Sequence, residues 1–259
     1  VGTTALSSLF WVFNFLAIGA QTEVAQEDGR GNAEKAGGIA SLALSMGMGF
    51  GILLILLIIP NIAWVASLMG ASGDIQLEAI SYIRIRIYGA PAVLLMLVTF
   101  GVLRGLQDMR TPLWIALGVN ALNILLDWLL IFGNANFPEM GVAGSALAST
   151  ISQWLGGLAG ILIIAAKLGL SPQFSFADLK KLLNVGGDLV IRTGLLTFFL
   201  ALTTRAATQI GADAGAAHQA VRQVFLFTSL ALDAFASTVQ SLVGYFIGKS
   251  SLKWAKEVV

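Results

Sequence analysis

Long apolar stretches separated by short polar ones run through this chain from end to end. A helix that crosses a bilayer needs about 20 mostly apolar residues. Seven stretches satisfy that requirement, at roughly 4–26, 37–60, 78–103, 112–133, 141–166, 183–208 and 217–247. Their runs are too long and too continuously apolar for barrel strands, in which lipid-facing and inward residues alternate. The pattern therefore predicts an all-α, polytopic transmembrane bundle with seven helices in the chain. Most connections are short. The longest, 167–182 (KLGLSPQFSFADLKKL), holds Pro172 and a polar, partly amphipathic run. It divides the chain into 1–166, a linker at 167–182, and 183–259.

Loop charges test this count, because Lys and Arg concentrate on the cytoplasmic side. Alternate loops carry Arg30 and Lys35, then Arg104 and Arg110, then Lys167, Lys180 and Lys181, then Lys249, Lys253 and Lys256. That is ten of the fifteen basic residues. The loops between them, about 70–77, 134–140 and 209–216, carry none and hold Asp74, Glu139 and Asp213. A missed or invented helix would break this alternation, so the first helix runs from outside to inside and the last one ends inside.

Composition narrows the picture further. Residues of the AVILMFWYC set make up 57% of 259 residues and charged residues only 11%, against roughly 25% charged in a soluble domain. No soluble fold of this size hides that much apolar surface, which excludes soluble enzymes, disordered tails and secreted disulfide scaffolds. A net charge of +1 supplies no field to hold nucleic acid. The absence of cysteine excludes thiolate sites, and a lone histidine argues against a zinc site. The chain shows no P-loop, HExxH or nucleophile motif, and the glycines of GMGFG at 47–51 sit inside an apolar helix. No enzyme and no resident cofactor or metal is expected. The chain starts at Val1, already within an apolar stretch, and so reads as a fragment.

An internal repeat is also present. AQTEVAQEDGRGNAEKA (20–36) aligns without gaps on VQSLVGYFIGKSSLKWA (239–255), so that Gln21 matches Gln240, Thr22 Ser241, Val24 Val243, Gly29 Gly248, Arg30 Lys249 and Ala36 Ala255. Both copies close a helix that runs from outside to inside. Parallel repeats of this kind build several transporter folds; the plainer alternative is that helix ends share small and basic residues. The offset of 219 residues implies a whole protein near twice that length.

Ionisable groups at membrane depth are expensive and point to function. In TPLWIALGVNALNILLDWLLIFG, Asn120, Asn123 and Asp127 fall on one helical stripe, and their neighbours are apolar. A dry environment disfavours the charged form of such a carboxyl, and a carboxylate beside amides binds a proton or a small cation. The competing reading is an amide–carboxyl bond that glues two helices. In the next segment Gly141, Ser145, Ser149, Ser152 and Gly156 share a stripe. It suits close packing, and its hydroxyls, Ser149 in particular, can also face Asp127. The sixth segment holds Asp188 and Arg192 at helical salt-bridge spacing, together with Arg205. Asp233 sits near the middle of the seventh, with His218, Gln219 and Arg222 near its outer end. Asp233, Arg192 and Asp188 form a second possible polar site. Arg84 and Arg86 lie toward an outer helix end, where such side chains snorkel to water.

These residues resemble the multidrug and toxic compound extrusion (MATE) family, in particular its DinF-like branch, over essentially the whole chain. FGVLRGLQDMRTPLWIALGVNALNILLDWLLIFG (100–133) and GVAGSALASTISQW (141–154) carry most of the likeness; GADAGAAHQAVRQ (211–223) and LALDAFASTVQSLVGYFIG (230–248) add to it. The resemblance implies twelve helices in two pseudo-symmetric six-helix lobes, of which this chain spans about the second to the eighth helix. Residues 1–166 would be an N-terminal lobe lacking its first helix, 167–182 the cytoplasmic link, and 183–259 the start of the C-terminal lobe. It also implies a secondary active antiporter that exports organic cations, drugs or other amphipathic compounds in exchange for H⁺ or Na⁺ by alternating access. Asn123, Asp127 and Ser149 match the family's N-lobe coupling positions, and Asn120 joins them from the stripe. The expected partners are the bilayer and a small amphipathic substrate, with the protein acting as a monomer in a bacterial inner membrane or a plastid envelope. A lipid-linked oligosaccharide flippase of the same superfamily is the alternative, although only Arg192 and Arg205 would serve its pyrophosphate. A seven-helix photoprotein needs a lysine deep in its last helix, and 217–247 has none.

Overall fold

A computed structural model describes residues 10, 12–68, 73–170 and 211–258, with scattered positions from 179 to 207. The described residues form helices and no strand. Five helices are long and apolar enough to cross a membrane: Ala33–Ser67, Gln76–Gly105, Arg110–Leu130, Gly141–Leu168 and Ala217–Gly248. They correspond to the second, third, fourth, fifth and seventh predicted stretches. Of the first stretch, the helix Asn14–Gly29 is described. Most of the sixth stretch and of the 167–182 junction lies outside the described residues.

The elements follow from local chemistry. α1 (Asn14–Gly29) ends where Gly31 takes a left-handed conformation, φ 73°. Asn32 then starts α2 (Ala33–Ile58), its side chain accepting from the Lys35 N–H at 3.3 Å. Pro60 lies in a 3₁₀ turn, Ile59–Asn61, that leads into α3 (Ile62–Leu68). α4 (Asp74–Arg86) passes through a second such turn, Ile87–Gly89, into α5 (Ala90–Gly105), where Pro91 occupies the first turn. Proline is tolerated there because the first-turn N–H groups lack helical partners in any case. α6 (Arg110–Leu130) and α7 (Gly141–Leu168) form an antiparallel hairpin, and α8 (Ala212–Gly248) and α9 (Leu252–Glu257) complete the description.

α5 is the centre, packed by α1, α2 and α7. In lipid, helices associate through close backbone packing rather than through hydrophobic exclusion, and glycines make these contacts. A Cβ on Gly101 would overlap the Ala17 carbonyl of α1, and one on Gly51 of α2 would overlap Pro91. The glycines at 47 and 51 are thus packing positions, as their apolar setting required. The apolar core formed with α1, α2 and α5 includes Leu16, Val24, Ile39, Leu95, Val98 and Leu103.

The sequence repeat is a structural one. Arg30 (φ −79°, ψ −10°) and Lys249 (φ −73°, ψ 4°) close their helices alike, and the next residues, Gly31 and Ser250, are both left-handed at φ 73° and 56°. The Asn32 N–H reaches back to Glu27 O at 2.9 Å, and the Ser251 N–H to Phe246 O at 2.9 Å. Both are Schellman closures, one repeat apart. The basic turns meet at one end of the bundle. There the α1 and α8 ends touch, Lys167 Nζ reaches Asp108 at 2.5 Å, and a Cβ on Gly37 would come 2.7 Å from Gly169 O.

Candidate functional site

The polar stripe of α6 faces α7 at two of its three positions. Asn123 Nδ2 donates to Ser149 Oγ at 3.4 Å. One turn further on, the Ser145 hydroxyl lies beside the Asp127 carboxyl. Asp127 Oδ1 is buried and accepts no hydrogen bond. Asn120 is exposed and turns back along its own helix, donating to Ala116 O at 2.8 Å. The hairpin holds this register because α7 begins tight against the end of α6: the Met140 N–H donates to Leu130 O at 2.9 Å, and a Cβ on Gly144 would meet that same carbonyl at 2.5 Å. Asn123, Asp127, Ser145 and Ser149 thus form one cluster of a carboxyl, an amide and two hydroxyls. Buried polar atoms are normally hydrogen-bonded. A carboxylate oxygen left over in such a cluster is an acceptor for a proton or a cation.

A second polar set joins α8 to α1 and to the end of α5, and its α1–α8 part obeys the repeat. Gln21 Nε2 of α1 donates to Ser237 O of α8 at 2.6 Å, and its repeat mate Gln240 donates to Ile18 O, the repeat mate of Ser237, at 3.3 Å. Gln240 also donates to Thr22 Oγ1 at 2.7 Å. Closer to the helix ends, a Cβ on Gly29 would overlap Tyr245 O and a Cβ on Gly248 would overlap Gln26 O, again one repeat apart. Arg104 Nη1 donates to Ser237 Oγ at 3.3 Å, Gln107 Nε2 to Ser241 Oγ at 2.8 Å, and Ser241 in turn to Arg104 O. Reading the sequence located the repeat but not this seam; the paired Gln and Gly positions were the available signal.

At the same end, Asp108 caps α6. It accepts from the Thr111 N–H at 2.9 Å, the Thr111 hydroxyl at 2.5 Å and Lys167 Nζ at 2.5 Å. Burial alone would raise this carboxyl, but the hydrogen bonds from Lys167 and Thr111 outweigh it and bring the pKa from 3.8 to about 2.

The remaining expected residues are placed as follows. Asp233 is exposed on α8. Asp188, Arg192 and Arg205 lie outside the described residues. His218 Nε2 is 3.2 Å from Thr204 Oγ1. One expectation is corrected: Arg84 is exposed, as a snorkelling side chain should be, but Arg86 is buried at 8% exposure. Two residues along a helix is a rotation of about 200°, so the pair cannot share a face.

Comparison with known proteins fits this architecture. The MatE family model matches residues 1–129. The chain is 31% identical to DNA damage-inducible protein F of Escherichia coli K12, an alignment covering 96% of the chain and 55% of that protein. It is 29% identical to the probable multidrug resistance protein NorM of Thermotoga maritima, over 95% of the chain and 55% of the relative. A solved MATE structure in a bent conformation superposes with a TM-score of 0.82 at 21% identity, covering 99% of the chain and 59% of its own. The protein is an integral membrane helix bundle with the fold of the solved MATE structure. It belongs to the MatE family, and the chain spans about half the length of these curated relatives.

Proposed function

We propose that the protein is a secondary active efflux transporter of the DinF-like branch. It exports organic cations or other amphipathic compounds against an inward flow of H⁺ or Na⁺. The observation that carries this reading is the Asp127 carboxyl, on a membrane-spanning helix, with one oxygen buried and unpartnered beside an amide and two hydroxyls. Asp127 takes the coupling ion. Asn123 and Ser149 hold its surroundings, and exposed Asn120 lies on the approach.

In the mechanism we infer, charge drives the conformational change. An ionised Asp127 is costly to enclose and favours an open, hydrated or cation-bearing cleft. Ion binding neutralises it, lets α6 and α7 repack and releases substrate outward. Loss of the ion on the inner side restores affinity for a cationic substrate. The α1–α8 seam, made of neutral hydrogen bonds and glycine contacts, closes the inner end in one state and separates in the other. None of the ion pairs among the described residues joins the two helices, which favours reversible opening.

Residues 1–166 would act as one lobe and 183–259 as the start of the other, joined by 167–182. Asp233, Arg192 and Asp188 would line the facing side of the cleft. The protein would work as a monomer, without a cofactor beyond the coupling ion, in a bacterial inner membrane or a plastid envelope. The test is uptake of tetraphenylphosphonium by the full-length protein in proteoliposomes under an imposed pH or Na⁺ gradient. Wild type should concentrate the cation under one of these gradients, and Asp127→Asn should lose that dependence. Full gradient-driven uptake by Asp127→Asn would overturn the coupling role.

A further inference from the structure

Arg86 has no place in that scheme. It ends α4, ten residues beyond Gln76, where the membrane-spanning helix begins, which is about 15 Å along the axis. More than nine-tenths of it is buried. The Phe10 ring lies 5.7 Å from the guanidinium carbon, and the Tyr82 hydroxyl stands beside the group. Across from it are Gly89 and Thr150. A Cβ on Gly89 would come 2.6 Å from Arg86 Nη1 and 3.3 Å from Thr150 Oγ1. Nη1 is buried and donates to nothing.

A guanidinium cannot shed its charge by losing a proton in a protein, so a buried one requires a negative partner. The ion pairs among the described residues join Glu27 to Arg30 and Lys35, and Asp108 to Lys167. Arg86 is in none of them. Asp127 does not serve, because it stands on the other side of α7. Ser145 and Ser149 of α7 face α6, whereas Thr150, about 100° round the helix, faces Gly89.

We propose that Arg86, with Tyr82 and Phe10, forms a receptor site for a single carboxylate, Thr150 standing by only as a wall because its hydroxyl donates to Ala146 O at 2.8 Å. The carboxylate comes either from a bound organic acid or from another part of the protein. The match is chemical. The planar fork of a guanidinium pairs with a planar monoanion. Arg84, the nearest cation in sequence, is exposed on the opposite face and so adds no second charge for a dianion. The aromatic walls suit an aryl or alkyl acid. The proposal does not depend on the coupling role of Asp127.

The experiment uses the purified full-length protein in nanodiscs, with benzoate as the probe and benzamide as its neutral counterpart. Tm is measured at pH 7 and pH 5 for wild type, Arg86→Gln, Arg86→Lys and Tyr82→Phe. If the carboxylate comes from a solute, benzoate raises the wild-type Tm and benzamide does not. Arg86→Gln then weakens benzoate at least about tenfold, and Tyr82→Phe weakens it less. If the carboxylate belongs to the protein, benzoate has no effect on wild type and Arg86→Gln lowers Tm at pH 7. That loss shrinks at pH 5, because a stranded buried carboxyl has a raised pKa and takes up a proton, while Arg86→Lys keeps most of the stability. Should Arg86→Gln not fold, Arg86→Lys and Tyr82→Phe carry the benzoate comparison. The proposal is overturned if benzoate has no effect and the arginine variants lower Tm equally at both pH values or not at all.

Discussion

Asn120 and Asn123 lie three residues apart on one face of α6 and have different partners. Asn123 finds Ser149 on α7, while Asn120 bonds to its own helix. The stripe was readable from helical periodicity, but which of its members meets a hydroxyl depends on the register of a second helix, set here by the Leu130–Gly144 contact. The same limit explains Arg86, since nothing in its composition separates it from Arg84 until the face of α4 is known. Ser149→Ala removes the acceptor of the Asn123 amide. It should slow gradient-driven uptake a few-fold, a smaller loss than Asp127→Asn, while Asn120→Ala changes little; initial rates in proteoliposomes decide this. Asp108 gives a prediction on stability. Its folded pKa of about 2 lies below the ordinary 3.8, so its contribution is present above the ordinary value and fades as pH falls through about 2. Asp108→Ala should cost about 1 kcal/mol at neutral pH, as for loss of a helix cap, and much less near pH 2. Chemical denaturation at both pH values checks the sign.

At the scale of helices, α1 and α8 are two copies of one element that meet through equivalent residues. The repeat was legible because the contacts that must be satisfied twice constrain both copies: Gln21 and Gln240 donate across the seam, and Gly29 and Gly248 admit the opposing carbonyls. The departures are legible too, since Ser250 takes the left-handed position that Gly31 holds in the first copy. A side chain at either seam glycine has nowhere to go except by parting the helices, because its neighbour is backbone. Gly248→Ala should therefore shift the protein away from the state closed at this end. The chain has no cysteine, so once any cysteine outside it is replaced, spin labels at Arg30→Cys and Lys249→Cys report that distance. A single short distance in wild type should give way to a longer population in Gly248→Ala. An unchanged distance distribution would show that the seam does not gate.

For the molecule as a whole, the lengths of the apolar runs were enough to derive a transmembrane bundle, because bilayer thickness sets the length of a spanning helix, and the ten clustered loop cations predict its orientation. They could not show how the helices pack, which rests on single glycines such as Gly101 and Gly160 beneath Ala17 and Thr99. Nor could they place the second polar site, since Asp233 is exposed and its expected companions lie outside the described residues. The orientation is testable by single-cysteine labelling: Lys249→Cys should react only with reagent on the cytoplasmic side, and Glu139→Cys only from the opposite side. The central claim, that Asp127 is where the coupling ion and the substrate compete, is tested most directly by equilibrium binding of tetraphenylphosphonium to the purified full-length protein across pH and Na⁺ concentration. Wild-type affinity should weaken as H⁺ or Na⁺ rises, and Asp127→Asn should respond to neither. An Asp127→Asn variant that kept the wild-type dependence would contradict the account.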